Sequence, residues 1–218
     1  MSEDKNVLIP VITVVLAIIL GFAFLTYVKP QPPGPTPGDN VTPQPQPPTP
    51  SPKTTTLREL FSYSPGLSYK YRLNTQTAYG TQMLDITYLV KDLETFNGTK
   101  VWAMEMQVEA SGTNFSIREW RDEKTQKCIK QAVTIKTQEG EVEQAVPCLQ
   151  QADILDGKLE LLHTESITVP AGTYSSDFYS SQDNKTQCWK VNGMHVPVKI
   201  VMINTQNSTL ELVSYTEN

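Results

Sequence analysis

Basic charge, histidine and cysteine are all scarce in this 218-residue chain. It has 18 Lys and Arg against 23 Asp and Glu, two His and three Cys, and its pI is near 5.1. Because a nucleic-acid binder needs a basic surface to neutralise phosphates, we exclude that class of protein. The 39% content of hydrophobic residues excludes a wholly disordered chain, and the length allows one domain with appendages.

Motifs of the common catalytic and metal centres are missing as well. His163 and His195 do not stand at the spacing of zinc ligands, so we predict no metal and no cofactor. No Gly-x-Ser-x-Gly elbow and no glycine-rich phosphate loop occurs. Carboxylates such as Glu119 and Glu165 alternate with apolar residues, as they do on solvated strand faces. We therefore predict a binding protein rather than an enzyme.

One long uncharged run lies near the N-terminus, at residues 7–28. As a helix rising about 1.5 Å per residue it would span roughly 33 Å, enough for the hydrocarbon core of a bilayer. A cleaved signal peptide is the alternative, but its apolar region would be about 7–15 residues long and would follow a positive leader. We predict a short cytoplasmic leader at 1–6 and an uncleaved transmembrane helix at 7–28.

A proline-rich segment follows at 29–53 and contains 11 of the 16 Pro residues. Such a composition cannot bury a core and samples the polyproline II conformation. We predict a disordered stalk that holds the domain at 54–218 away from the membrane. The alternative is a proline-rich ligand for a partner domain.

Glycosylation sequons indicate the orientation of the anchor. Five Asn-x-Ser/Thr sites, more than the composition predicts, all lie after the apolar run: Asn40, Asn97, Asn114, Asn184 and Asn207. Because such sites are glycosylated outside the cytoplasm, we predict a single-pass protein of the cell membrane with its C-terminal domain outside.

Residues 54–218 carry the period-two pattern of β-strands. Apolar and polar residues alternate from Leu67 to Leu73, and Asn97-Gly98 separates two further alternating runs, which predicts a hairpin. A short helix is predicted at 57–61. The sequence predicts eight to ten antiparallel strands in a mainly β domain, as a strongly curved sheet or open half-barrel with short helices. A two-sheet sandwich is the structural alternative.

The C-terminal strands carry a recognisable order of short motifs. Thr-Val-Pro-Ala-Gly-Thr-Tyr at 168–174 precedes Trp189, and Val-Pro-Val-Lys-Ile follows at 196–200. This order resembles the closing strands of archaeal and bacterial membrane-anchored extracytoplasmic domains of unknown function. The wider architecture is similar to the half-barrel of lipoprotein carriers. The resemblance implies a fold and an extracytoplasmic, archaeal setting, and it implies no activity.

The same motifs also have structural interpretations. Pro170 ends a strand and Gly172 can take a positive φ, so together they predict a tight corner. Trp189 is large enough to cap the core of a sheet. Pro197 lies inside a predicted strand at 196–203, which indicates an edge strand or a bulge.

The three cysteines predict one disulfide. Cys128 and Cys148 lie at nearly equal distances from the turn at Glu139-Gly140, so a hairpin would bring them face to face. Cys188 would then be a small buried hydrophobic residue or an intermolecular linker.

The candidate binding site is a set of large apolar side chains on facing strands. In a half-barrel they would line a cavity for a lipid or another apolar ligand, and in a sandwich they would be core: Tyr69, Tyr71, Tyr88, Trp102, Met104 and Met106. We predict a membrane-anchored extracytoplasmic binding module for an apolar ligand or an envelope component. The alternative is a structural or adhesive surface protein with a filled core that contacts an envelope protein through residues such as Trp120.

Overall fold

The computed structural model describes residues 53–217, apart from 78–79, 111–112, 138–139, 149–154 and 204–206. The predicted leader, transmembrane helix and stalk lie outside the described residues, apart from Lys53, and so does Asn40. Within the described part, no helix is long and apolar enough to cross a membrane. Residues Thr54–Asn218 form one compact unit.

The described residues form twelve strands and one 3₁₀ turn at Arg58–Leu60. In chain order the strands are β1 (Thr54–Thr56), β2 (Ser68–Thr77), β3 (Gly80–Phe96), β4 (Thr99–Ala110), β5 (Thr113–Asp122), β6 (Cys128–Thr137), β7 (Gly140–Val146), β8 (Lys158–Val169), β9 (Gly172–Ser180), β10 (Thr186–Lys190), β11 (Lys199–Met202) and β12 (Ser208–Thr216).

All twelve strands belong to one antiparallel sheet, so the mainly β prediction is confirmed. The spatial order is β1-β8-β9-β10-β11-β12-β2-β3-β4-β5-β6-β7, with β1 and β7 at the two unpaired edges. The sheet is open, and the sandwich alternative is wrong. The predicted number of strands, eight to ten, is lower than the twelve present because β1, β7 and most of β8 show no clear alternation of apolar and polar residues.

Alternation explains why the predicted strands form. In β2 the side chains of Tyr69, Tyr71 and Leu73 are buried, while the residues between them are half-buried. The hairpin predicted between β3 and β4 is present, and Asn97 and Gly98 have φ values of 49° and 80°. Both central residues of a type I′ turn require a positive φ, which Asn-Gly tolerates.

The corner predicted at 170–172 joins β8 to β9. Val169 pairs with Gly172, whose φ of 142° is disfavoured for any residue with a Cβ. The backbone N–H of Ala171 donates to the carbonyl of Leu212 at 3.0 Å. Because β9 and β12 are separated by two other strands, the tip of this hairpin bends over the sheet to reach β12.

Pro197 does not lie in a strand, so the predicted edge or bulge position is wrong. The strand begins two residues later, at Lys199. Pro197 is fully buried, and its carbonyl accepts a hydrogen bond from the Tyr71 hydroxyl. The apolar run that looked like a longer strand serves instead to cover the sheet.

We call the face of the sheet that carries Tyr69, Tyr71 and Met104 the inner face. Two stretches outside the strands lie over it, and we call them the covering segments. They are residues 57–67 and 191–198. Leu67, Val196 and Val198 are fully buried in one cluster with the inner-face side chains. The first segment is fixed by the N–H of Gly66, which donates to Val90 at 2.9 Å.

Lys190 also holds the first covering segment. Its Nζ donates to the carbonyl of Leu60 at 2.7 Å. Burial lowers the pKa of the Lys190 ammonium to about 8. The folded state therefore binds the Lys190 proton less tightly than the unfolded chain does.

The predicted disulfide between Cys128 and Cys148 is present, with a Cα–Cα distance of 5.8 Å. It ties the start of β6 to the residues after β7. Cys188, on β10, is a free and fully buried cysteine. Its burial raises the pKa of the thiol, which makes it chemically inert in the folded state.

We predict that unreduced protein has one thiol and that this thiol is protected. An aromatic disulfide reagent should find no fast-reacting thiol in the native protein and one in denaturant. The Cys128→Ser/Cys148→Ser variant should lose up to roughly 3 kcal/mol of unfolding free energy, because the bridge closes a 20-residue loop. Three reactive thiols in unreduced, denatured protein would contradict the bridge.

We also predict that Lys190 makes stability rise with pH. Since its pKa is lower in the folded state, the unfolded chain binds more protons between about pH 8 and 10, and stability increases across that window. Denaturant unfolding from pH 7 to 9.5 should show this rise in the wild type relative to Lys190→Met. Tyrosines and Cys188 are present in both proteins, so their contributions cancel when the unfolding free energies of the two proteins are subtracted at each pH. Parallel pH curves would refute the prediction.

Candidate functional site

An aromatic cluster occupies the inner face where β2, β3 and β4 meet. The strand register places Tyr69 opposite Tyr88, and Tyr88 opposite Met106. The rings of Tyr69 and Tyr88 are stacked, with centroids 4.8 Å apart and planes 14° apart, and Tyr71 meets Tyr88 edge-on at 6.4 Å. Aligned strands thus build a continuous aromatic wall.

The six residues predicted to line a cavity divide into two groups. Tyr69, Tyr71 and Met104 are 2–3% exposed and belong to the packed core. Tyr88, Trp102 and Met106 are only half-buried and keep some contact with solvent. The second group is therefore the part of the wall that a ligand can reach, and its role as a ligand site stays a prediction.

A charged pair lies on the same face, beside this wall. Glu119 and Arg121 of β5 stand opposite Met104 and Trp102 of β4. Arg121 Nη2 lies 3.1 Å from Glu119 Oε2, and the two side chains are only 13% and 12% exposed. The interpretation of Glu119 as a solvated residue is wrong, because it points into the sheltered face.

Tyr63, from the first covering segment, joins the charged pair to the wall. Its ring meets Trp102 edge-on at 6.3 Å. Burial raises the pKa of the Tyr63 hydroxyl, and Arg121 opposes that shift. For Arg121 itself burial acts to lower the pKa, but Tyr63 and Glu119 outweigh it and the pKa is raised. Burial likewise raises the pKa of Tyr88 to about 12.

Two buried polar atoms near this site have no hydrogen-bond partner among the described residues. They are Gln131 Oε1 and Ser64 Oγ. Gln131 is 5% exposed and stands opposite Glu119 in the register of β5 and β6. Buried polar atoms are normally satisfied, and a water molecule or a polar group of a ligand can bond to such atoms. Together the wall and its polar end can hold an amphipathic small molecule.

Trp120 is not an exposed contact residue, and that prediction is wrong. It is 8% exposed and packs on the outer face of the sheet with Val101, Ala103 and Ala132. Lys130 Nζ lies 4.4 Å from the centroid of its ring, and its indole N–H donates to Glu94 at 3.1 Å. The surrounding charges cover the ring rather than present it.

The remaining predicted residues lie elsewhere. Trp189 is half-buried beside Phe178, and its N–H donates to Glu165 Oε1 at 2.6 Å. Asn97, Asn184 and Asn207 are exposed, as an accepting asparagine must be. The side chain of Asn114 lies outside the described residues. Among the described residues, no three His, Cys, Asp or Glu side chains come together as metal ligands.

No protein-family model matches the chain, and no curated protein matches it. Several solved structures are similar in part, among them these three. A candidate lipoprotein of Parabacteroides distasonis is 14% identical, with 72% of this chain and 98% of that chain covered and a TM-score of 0.35. A DUF1329 family protein of Desulfovibrio piger is 8% identical, with 74% and 89% covered and a TM-score of 0.36.

The third is a LolA superfamily protein of Nitrosomonas europaea. It is 12% identical, with 74% of this chain and 90% of that chain covered and a TM-score of 0.39. At these identities and TM-scores the similarity identifies no family. The resemblance to lipoprotein carriers and the archaeal setting stay predictions.

We predict that removing the charge of only one member of the Glu119–Arg121 pair destabilises the fold. Glu119→Gln removes the carboxylate that balances the sheltered Arg121 charge, and it should lower the unfolding free energy by roughly 3 kcal/mol. Glu119→Gln combined with Arg121→Met should recover part of that loss, because no charge then remains. Urea denaturation at pH 7 measures both effects.

The matched control is the surface pair of Lys185 and Asp183, whose side chains are 65% and 56% exposed. Lys185→Met should change stability by less than about 1 kcal/mol. Equal losses in Glu119→Gln and Lys185→Met would show that the inner-face pair is not sheltered.

Proposed function

We propose that the chain is a single-pass protein of the cell membrane whose β domain binds an apolar ligand outside the cytoplasm. The uncharged run at 7–28, the proline-rich stalk at 29–53 and the five sequons support this location. The inner-face site binds its ligand and does not transform it.

One observation carries the binding role: the accessible part of the inner face combines aromatic surface with a polar end. Tyr88 and Trp102 keep some exposed area although they lie on inner strands of the sheet, and Tyr63 of the first covering segment keeps some as well. Beside them the Glu119–Arg121 pair is sheltered. A sheltered ion pair is poor evidence for stability, since well-packed apolar residues often serve as well. Its presence is explained by a ligand that uses it.

The arrangement favours a ligand with an apolar body. Aromatic rings supply a flat apolar surface, and the flexible thioether of Met106 adapts to irregular shapes. Gln131 Oε1, which has no hydrogen-bond partner among the described residues, supplies an acceptor at one end. A lipid or an apolar component of the envelope fits this description, and the acidic chain does not suit a nucleic acid.

A structural or adhesive surface protein with a filled core is the second candidate. The near-complete burial of Tyr69, Tyr71 and Met104 favours it. The burial of Trp120 removes the contact residue on which that role was based. An envelope protein would therefore need another docking surface.

We predict that a fatty acid brominated on its chain quenches one tryptophan of the Thr54–Asn218 domain. Bromine quenches indole on contact, so binding at the inner face should quench Trp102 saturably. Trp102→Phe should remove the quenched component. Trp120→Phe, a matched change on the outer face, should retain it.

Native mass spectrometry of the same domain, purified from a lipid-containing host, gives an independent readout. A stoichiometric lipid adduct supports binding, and it should weaken in Trp102→Phe by several-fold. A clean mass together with no saturable quenching contradicts the apolar-ligand role and favours the second candidate.

A further inference from the structure

A continuous chain of hydrogen bonds joins three side chains away from the inner-face site. Ser62 Oγ lies 2.7 Å from His195 Nδ1, and His195 Nε2 lies 2.7 Å from Glu217 Oε1. Ser62 follows the 3₁₀ turn, His195 lies in the second covering segment, and Glu217 follows β12. The fold thus brings together residues separated by 133 and 22 positions.

Ser62, His195 and Glu217 each make a further hydrogen bond that fixes their position. The N–H of Ser62 donates to the carbonyl of His195 at 2.9 Å. The N–H of His195 donates to the Tyr215 hydroxyl at 3.3 Å, and that hydroxyl donates to Glu217 Oε2 at 3.0 Å. The side chains are therefore positioned by the backbone and by Tyr215, which is what a reactive centre requires.

The carboxylate fixes the tautomer of the imidazole. Hydrogen bonds from His195 and Tyr215 lower the pKa of Glu217, so at neutral pH it is ionised and only accepts. His195 Nε2 must then carry a hydrogen to bond with it. In the neutral ring Nδ1 is bare, and it accepts the hydrogen of the Ser62 hydroxyl. The carbonyl of His195, at 3.5 Å from Ser62 Oγ, is the weaker acceptor.

We propose that Ser62 and His195 form a nucleophilic serine centre for acyl esters, with Glu217 as the positioning residue. A hydroxyl bonded to an imidazole that is itself oriented by a third group is the signature of an activated nucleophile. The proposal for this centre does not require a ligand at the inner-face site, although Tyr63, the neighbour of Ser62, contributes its ring to that site.

The chemistry balances without a further reactant besides water. Ser62 Oγ forms a bond to the ester carbonyl carbon while its proton passes to His195 Nδ1. The bond from that carbon to the alcohol oxygen breaks, and the alcohol leaves with the proton from Nδ1. Water then attacks the acyl group on Ser62, giving a carboxylic acid and the free hydroxyl.

The surroundings of Ser62 admit a substrate. Ser62 is exposed, and the side chains of His195 and Glu217 are 24% and 44% exposed. The backbone N–H groups of Tyr63 and Ser64 directly follow the hydroxyl. Neither donates to another described residue, so both are available to a developing oxyanion. Such an open site suits a small ester with a good leaving group.

The test is covalent labelling of the full chain in detergent with a small fluorophosphonate, followed by intact mass and peptide mapping. We expect a single adduct on Ser62 and none on Ser175, an exposed serine of β9. His195→Gln should slow labelling by about 100-fold or more. Ser175→Ala is the matched control and should label at the wild-type rate.

The role of Glu217 has its own readout. The labelling rate of the wild type should depend on pH, and Glu217→Gln should displace the midpoint of that profile. A residue that only braced the fold would leave the midpoint in place. The rate of p-nitrophenyl acetate hydrolysis allows the same comparison of the wild type with Glu217→Gln under turnover. Ser62→Ala should not hydrolyse this ester.

Two results would overturn the proposal. The first is folded wild-type protein that carries no adduct on Ser62 under conditions that label a known serine esterase. The second is an equal labelling rate in His195→Gln. Either would show that the three side chains only tie the covering segments to the C-terminal residues. If His195→Gln fails to fold by circular dichroism, the comparison of Ser62 with Ser175 in the wild type decides.

Discussion

An unclosed sheet with one apolar face has to cover that face, and the rest of this structure depends on how it does so. All twelve strands belong to one sheet, so no second sheet covers this face. The two short covering segments cover it instead. The segments are joined to the sheet by backbone bonds: Val198 receives the N–H of Leu212 at 2.9 Å, and Leu67 receives the N–H of Val90 at 2.9 Å. Their apolar side chains reach zero exposure there. The core is therefore made by loops as much as by strands.

Coverage by loops also explains where the polar groups lie. A loop places backbone and side-chain polar atoms against the face it covers. In a second sheet the backbone groups would instead bond to neighbouring strands. Tyr71 bonds to Pro197, Lys190 to Leu60, and Tyr63 reaches the Glu119–Arg121 pair. The face is thus apolar in bulk but carries donors and acceptors at defined points. Such a surface can distinguish one end of a ligand from the other.

The sequence predicts those parts of the fold in which local chemistry and tertiary position agree. Asn97-Gly98 forms its hairpin, and the equal spacing of Cys128 and Cys148 forms their bridge. Most of β8 escapes prediction because a bulge between Leu161 and His163 interrupts its alternation, and Leu162 is 54% exposed. The sheltering of Glu119 and the contacts of Ser62 and Glu217 with His195 depend on residues distant in sequence. No local pattern records such contacts, since nothing in the neighbouring residues differs from an ordinary polar surface.

The position of β12 constrains the order in which the molecule can be assembled. This strand lies in the middle of the sheet, between β11 and β2, and pairs Leu210 with Leu73. Because β12 follows the other eleven described strands in the chain, β2 and β11 each present an open edge of backbone donors and acceptors until β12 pairs with them. Non-local pairing of this kind is slow, and exposed edges recruit other chains. The pairing of β12 is therefore the event that joins β11 to β2, and both edges need protection from other chains until then.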